Sequence, residues 1–271
     1  MKRYFADAFT GEGCRGNRAC VVDCGSLADG WPRDEEMMRQ ARENALPETA
    51  FFLRKGDGSY LLRWFTPDIE MDLCGHATLA TAFVISNLPE FNSDKVSFDT
   101  CSGAVSVDVA PDGRLTLVFP SRPALPAQLP QNIMDSLRYK PLEVSKARDY
   151  VLLYDSAEKV AAMSVDRELF DRLNIDPGGV IFTAPGPDGC DFVSRFFTPQ
   201  ATILEDPVTG SAHCTLIPFW SRRLGKDKMV ARQLSEQGGI LYCEDCGDKV
   251  RISGYATSDG FGELPCVSRQ D

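Results

Sequence analysis

Two short polar motifs carry the residue types that could move protons in this chain. Cys74-Gly75-His76-Ala77-Thr78 sets a thiol two residues before an imidazole, and Glu205-Asp206-Pro207-Val208-Thr209-Gly210-Ser211-Ala212-His213 gathers two carboxyls, two hydroxyls and an imidazole. The chain's only two histidines, His76 and His213, fall inside these motifs. Such groups suit general acid–base chemistry. Two lone histidines without a Cys-x-x-Cys and His-x₃-His spacing do not make a zinc site, so no metal is expected.

Each motif follows a copy of one signature. Arg63-Trp64-Phe65-Thr66-Pro67 returns as Arg195-Phe196-Phe197-Thr198-Pro199, 132 positions later, and the same offset carries Cys74 onto Asp206. A repeat of about half the chain predicts two similar domains, 1–120 and 121–271, with the last residues able to return to the first domain. Cys74 and Asp206 are then expected at equivalent places, with unlike chemistry.

In each half a strand should end in Phe-Thr-Pro, and a helix should start within the motif that follows. A helix N-terminus presents unpaired N–H groups and partial positive charge, and so receives carboxylates. Gly75 and Gly210 would let a ligand approach the backbone. The plain structural alternative makes Thr78 and Ser211 ordinary N-caps. If the halves face each other, both helix N-termini converge on one cleft.

Single residues stay open between two roles. Cys74 is either a thiolate activated by the helix N-terminus or an inert buried thiol. Asp206, before Pro207, either closes its own turn or binds a substrate ammonium, holds His76 or shares a proton, with Glu205 as the neighbouring candidate. Glu48, beside Leu46, Ala50 and Phe51, is either a solvated loop acid or a desolvated carboxyl able to give and take protons. Gly16-Asn17 reads as a turn. Cys243-x-x-Cys246 has redox spacing but no second pair, and Trp31, Trp64 and Trp220 are assigned to cores.

The elements that must position these groups alternate along the chain. Strands are expected at 4–9, 19–22, 49–53, 60–65, 96–98, 105–109 and 115–119, with helices at 34–44 and about 77–85. The prolines at 120, 123, 126 and 130 mark a linker over 120–132. Beyond it come strands at 151–154, 180–183 and 191–197, helices at 156–163, 166–173 and 211–224, and a hairpin of 239–242 with 250–252. Each half thus wraps strands around one central helix.

Bulk properties bound the function. The net charge of −10 over 271 residues disfavours nucleic acid and anionic membranes as partners. No apolar run of about 20 residues could span a bilayer, and no signal-peptide core follows the basic start. Ten cysteines scattered through the chain suit reduced thiols, and a cytoplasmic location is expected.

Taken in order, Asp7-Ala8-Phe9-Thr10 with Gly16-Asn17, Leu46-Pro47-Glu48-Thr49-Ala50-Phe51, the Cys74 motif and the Glu205 motif resemble the phenazine-biosynthesis isomerase-like family, whose relatives share the diaminopimelate epimerase fold. Ala184-Pro185-Gly186-Pro187-Asp188-Gly189 and Arg251-Ile252-Ser253-Gly254 are similar too. The resemblance implies two pseudo-symmetric α/β (α+β) domains, each a barrel-like, mostly antiparallel sheet around a central helix, with the active site between them and a homodimer. It implies an isomerase without cofactor, in which Glu48 moves a proton on a small carboxylate or cyclic amino-acid-like substrate. His76, Asp206 and Ser211 would line the site, with Asn17, Gly75, Thr209 and Gly210 binding substrate. Related epimerases place a cysteine at each of the two loops; here the second loop carries Asp206, which speaks against a two-thiol pair. Pro47 stands where a small polar residue is usual and Arg18 where proline is, and the tail from Thr257 matches nothing.

Overall fold

The computed structural model describes residues 1–173 and 178–258. The expected return of the last residues to the first domain falls largely on 259–271, outside the described residues.

In chain order the first elements are β1 (Lys2–Thr10), β2 (Asn17–Ser26), α1 (Asp34–Asn44), β3 (Glu48–Arg54), β4 (Tyr60–Phe65), β5 (Glu70–Met71), α2 (Gly75–Ser86), β6 (Lys95–Thr100), β7 (Gly103–Val109) and β8 (Leu115–Pro120). There follow β9 (Leu125–Pro126), α3 (Gln131–Ser136), β10 (Glu143–Lys146), β11 (Tyr150–Leu153), α4 (Ala157–Ala161), α5 (Arg167–Phe170), β12 (Val180–Pro185), β13 (Phe192–Phe197), α6 (Gly210–Leu224), β14 (Lys228–Gln233), β15 (Gly239–Asp245) and β16 (Lys249–Ser258). The chain divides into two compact units. Of the described residues, one holds Met1–Ala8, Arg18–Leu117 and 254–258; the other holds Phe9–Asn17 and those of Val118–Ser253.

In the first unit the strands run β1-β2-β3-β4-β6-β7-β8, and β16 pairs with both β8 and β1, closing an eight-stranded barrel. Closure removes the exposed edges that an open sheet would leave. Helix α2 is apolar on all sides, with Ala77, Leu79, Ala80, Ala82, Val84 and Ile85 buried, as a helix enclosed by strands must be. Strand β3 is buried from Glu48 through Leu53 and runs parallel to β2 and antiparallel to β4. Helix α1 carries Asp34, Glu35 and Glu36 in its first turn and stops at Ala45, whose φ of 50° is left-handed. Its buried face is Met37, Gln40 and Ala41, with Met38 at the margin of the same cluster.

The second unit orders its strands β16-β15-β14-β13-β12-β11-β10-β9. Helix α6 packs on β14 and β15 and buries Ala212 through Ser221. Trp220 stacks on Phe192 with ring centres 5.6 Å apart, and its Nε1 donates to Thr183 Oγ1 at 2.9 Å. A second cluster gathers Ile133, Leu152, Phe170, Val180, Phe182 and Phe197. Trp64 and Trp220 are core residues, and Trp31 packs against the cluster under α1.

The long expected strands and helices are present, and β15 pairs antiparallel with β16 as the predicted hairpin. Strands β5, β9, β10 and β14 and helix α3 were not anticipated. The short ones are held by neighbours rather than by their own propensity. Strand β14 alternates in the way a half-buried strand should, with Met229, Ala231 and Gln233 inward, but its lysine, arginine and glutamine mask the pattern. Among the described residues no helix is long and apolar enough to cross a membrane.

Candidate active site

In the first unit, β4 ends at Phe65 and a tight turn follows, in which Thr66 Oγ1 accepts from the N–H groups of Asp68 at 3.0 Å and Ile69 at 2.9 Å. The turn brings Glu70 back beside Phe65. Cys74 is the N-cap of α2 and makes no side-chain cap, so the helix starts at Gly75 without one. Thr78, expected as a possible N-cap, lies one turn inside the helix and donates to the Cys74 carbonyl.

His76 is buried, and Cys74 Sγ lies 3.5 Å from its Nδ1. Desolvation pushes its pKa down to about 3, so the ring is neutral at physiological pH. Its Nε2 is buried without a hydrogen-bond partner among the described residues. Glu48 opens β3 at 5% exposure, which rules out the solvated loop acid. Asn44 at the end of α1 fastens this point by donating from Nδ2 to Thr49 Oγ1 at 2.9 Å, and α2 packs on β3. Helix end, Pro47 and strand start thus confine the carboxyl.

In the second unit, Asp206 is held from several sides. Asn17 Nδ2 donates to its Oδ1 at 2.6 Å and to the Val208 carbonyl at 3.0 Å, while Thr209 Oγ1 donates to its Oδ2 at 2.7 Å. Asp206 keeps partial exposure, yet desolvation pushes its carboxyl up to about 6, against the lowering effect of the Thr209 and Asn17 hydrogen bonds; the nearby Glu205 charge adds to the rise. Asn17 is fully buried, and Gly16, at φ 80°, turns the chain into it.

Thr209 is the N-cap of α6 but spends its hydroxyl on Asp206 rather than on the helix. Gly210 begins the helix, and Ser211 is its second residue, not its cap. His213 turns back on its own helix, with Nδ1–H donating to the Thr209 carbonyl at 2.8 Å. Gln233, which no local pattern marked, accepts the Thr209 N–H at 2.8 Å and donates to the Asp206 carbonyl at 2.7 Å.

The two motifs do not align as the sequence offset suggested. Arg63 forks onto Glu70, Nε to Oε1 and Nη2 to Oε2 both at 2.7 Å, and Arg195 forks onto Glu205 at 2.6 and 2.7 Å. Arg63 also lies over Phe65 and Arg195 over Phe197. Phe65 pairs with Glu70 and Phe197 with Glu205. The arginines are 132 positions apart, but the glutamates are 135 apart, as are the helix starts Gly75 and Gly210. Three extra residues therefore lie between Pro199 and Leu204. Past them, Cys74 matches Thr209 and Asp206 matches Met71, so the expected equivalence of Cys74 with Asp206 is corrected.

The nine cysteines among the described residues are free thiols. Cys243 is buried in β15 and Cys246 is exposed beyond it. Among the described residues no group of three or more His, Cys, Asp or Glu side chains could hold a metal ion.

Residues 6–258 match the family described as phenazine biosynthesis-like protein. The chain belongs to that family. An uncharacterized isomerase of Pseudomonas aeruginosa is 42% identical over 259 residues, covering 95% of this chain and 96% of that one. The crystal structure of a phenazine biosynthesis PhzF family protein from Enterococcus faecalis superposes with a TM-score of 0.86 at 39% identity, over 96% of this chain and 98% of the other. A hydroxyproline epimerase of Agrobacterium vitis shares the fold alone, with a TM-score of 0.58 at 12% identity over 96% and 91% of the two chains. This phenazine biosynthesis-like chain therefore has the epimerase-type fold and the isomerase class expected from its motifs.

Proposed function

We propose that the protein moves a proton within a small carboxylate or cyclic amino-acid-like substrate, with Glu48 as general acid and base. The observation that carries this reading is the presence, in one unit, of a carboxyl at 5% exposure and a neutral imidazole whose Nε2 has no hydrogen-bond partner among the described residues. A carbon acid beside a carboxylate gives up its proton reluctantly, so the base must be desolvated and the developing charge must meet preorganised donors. The starts of α2 at Gly75 and of α6 at Gly210-Ser211, which carry no side-chain cap, are suited to supply N–H groups, the Thr209 N–H being taken by Gln233. His76 and Asp206 orient substrate and relay protons, and Asn17 holds Asp206. One proton leaves a carbon and returns to another, so electrons balance without a redox partner. As part of the same proposal, the protein acts as a cytoplasmic homodimer.

Racemisation by Cys74 and Asp206 as opposed bases is the weaker reading, because the position matched to Cys74 holds the hydroxyl of Thr209. Solvent deuterium exchange into candidate cyclic and amino-acid substrates tests the proposal with Glu48→Gln and Cys74→Ser. General acid–base groups contribute about 100-fold or more, so Glu48→Gln should lose at least that factor while Cys74→Ser keeps exchange. Full exchange in Glu48→Gln sinks the reading, loss confined to Cys74→Ser restores Cys74 and Asp206 as the opposed bases, and tight binding with no exchange in wild type indicates a binding protein.

A further inference from the structure

Gln233 closes β14 at 1% exposure, facing the turn that carries Asp206. Its Oε1 accepts the Thr209 N–H at 2.8 Å, which settles the direction of the amide. Its Nε2 therefore donates, to the Asp206 carbonyl at 2.7 Å and to Thr209 Oγ1 at 3.1 Å. A hydroxyl has a single proton. With Oγ1 already receiving a donor, the Thr209 proton is directed to Asp206 Oδ2, 2.7 Å away. Asn17 supplies Oδ1 at 2.6 Å, so each carboxylate oxygen receives a donor.

We propose that Gln233 is a positioning residue that fixes the direction of the Thr209 O–H and so keeps Asp206 in its ionised, proton-accepting form. The inference rests on the role given to Asp206 above. Donors to both oxygens favour the charged carboxylate. Burial acts the other way, and so does Glu205, the charged neighbour that bears on this carboxyl; Glu205 is itself gripped by Arg195 of β13. The chain from Gln233 through Thr209 offsets that penalty. Gln233 touches no reacting atom; it acts through the hydroxyl.

The test is a carboxyl-carbon NMR titration of the full chain, with Asp206 assigned through Asp206→Asn. Gln233→Met and Thr209→Val should each raise the Asp206 midpoint by about one pH unit, a tenfold gain in proton affinity. Thr209→Ser should keep the wild-type midpoint, and the double variant should move no further than Thr209→Val, since the effect passes through one hydroxyl. An unmoved midpoint in Gln233→Met, or shifts that add in the double variant, overturns the inference whatever happens to thermal stability. Should Gln233→Met fail to fold, Thr209→Val alone decides, and an unmoved midpoint there overturns it equally. The titration needs no substrate. Exchange that survives Asp206→Asn at full rate overturns the reading on which the inference rests, whereas an unmoved midpoint overturns the inference alone.

Discussion

The Asn17 amide donates to Oδ1 of Asp206 across 2.6 Å, joining residues 189 positions apart. The same Nδ2 donates to the Val208 carbonyl, so the opening segment of the chain fastens both the acid and the loop that bears it. Asn17 is fully buried, and its loss cannot be repaired by water at no cost.

Asn17→Asp sets a second carboxyl against the first. Two carboxyls at hydrogen-bond range share one proton, and the pair then titrates in two separated steps. Carboxyl-resolved NMR should show one step above the midpoint of about 6 that belongs to Asp206 in the wild type. Two ordinary aspartate midpoints would show that the contact does not form in solution.

Stability should fall in acid, with a slope that depends on Asp206. His76 and His213 have folded pKa values pressed down to about 3 and about 4, so below the unfolded value near 6.5 the unfolded chain gains two protons that the folded chain refuses. Asp206, raised to about 6, binds its proton in the folded state first and offsets one of them between roughly pH 4 and 6. Urea unfolding over that window should lose about 1.4 kcal/mol per pH unit from these three groups, and Asp206→Asn should steepen the loss to about twice that. Equal slopes in the two proteins would count against the raised carboxyl.

The two arginine forks should differ in value. Arg195, at 13% side-chain exposure, also donates to the carbonyls of Ala161 at 3.0 Å and Met163 at 2.8 Å, whereas Arg63 at 20% pairs with Glu70 and with Asp34, which is 72% exposed. Arg195→Ala should cost about 3 kcal/mol in chemical unfolding and Arg63→Ala about 1 kcal/mol. Arg195→Lys should recover little of that loss, since an ammonium cannot make the fork.

Gly239 is required by the second motif rather than by its own backbone. A Cβ there would sit 2.3 Å from Val208 Cγ2, in the loop held by Asn17. Gly239→Ala should cost about 1–3 kcal/mol through overpacking, and Val208→Ala in the same chain should recover part of it. Additive losses would mean that the loop does not feel the added methyl group.

Much of this organisation is legible in the chain itself. Apolar runs and alternation mark the long strands of both units, Gly75 and Gly210 stand where α2 and α6 begin, and the ordered motifs are enough to place the family. Those signals are local: a period of two or 3.6, a turn residue, or a short string of side chains carries them. The apolar neighbours of Glu48 leave it open between a loop acid and a desolvated carboxyl, the family resemblance singles it out, and the structure buries it at the start of β3.

What only the tertiary structure decided depends on partners far apart in sequence. Counting from one arginine to the next aligned Cys74 with Asp206, yet the forks on Glu70 and Glu205 reveal three extra residues and pair Cys74 with Thr209. An insertion leaves no local trace when the motifs on either side have diverged. In sequence Gln233 is one more polar residue in a charged stretch, and it organises the site because pairing of β14 with β13 and β15 turns it inward, to the Asp206 turn. Residue types and periodicity determine which elements form; a hydrogen bond between residues 189 apart exists only once the folded chain has brought them together.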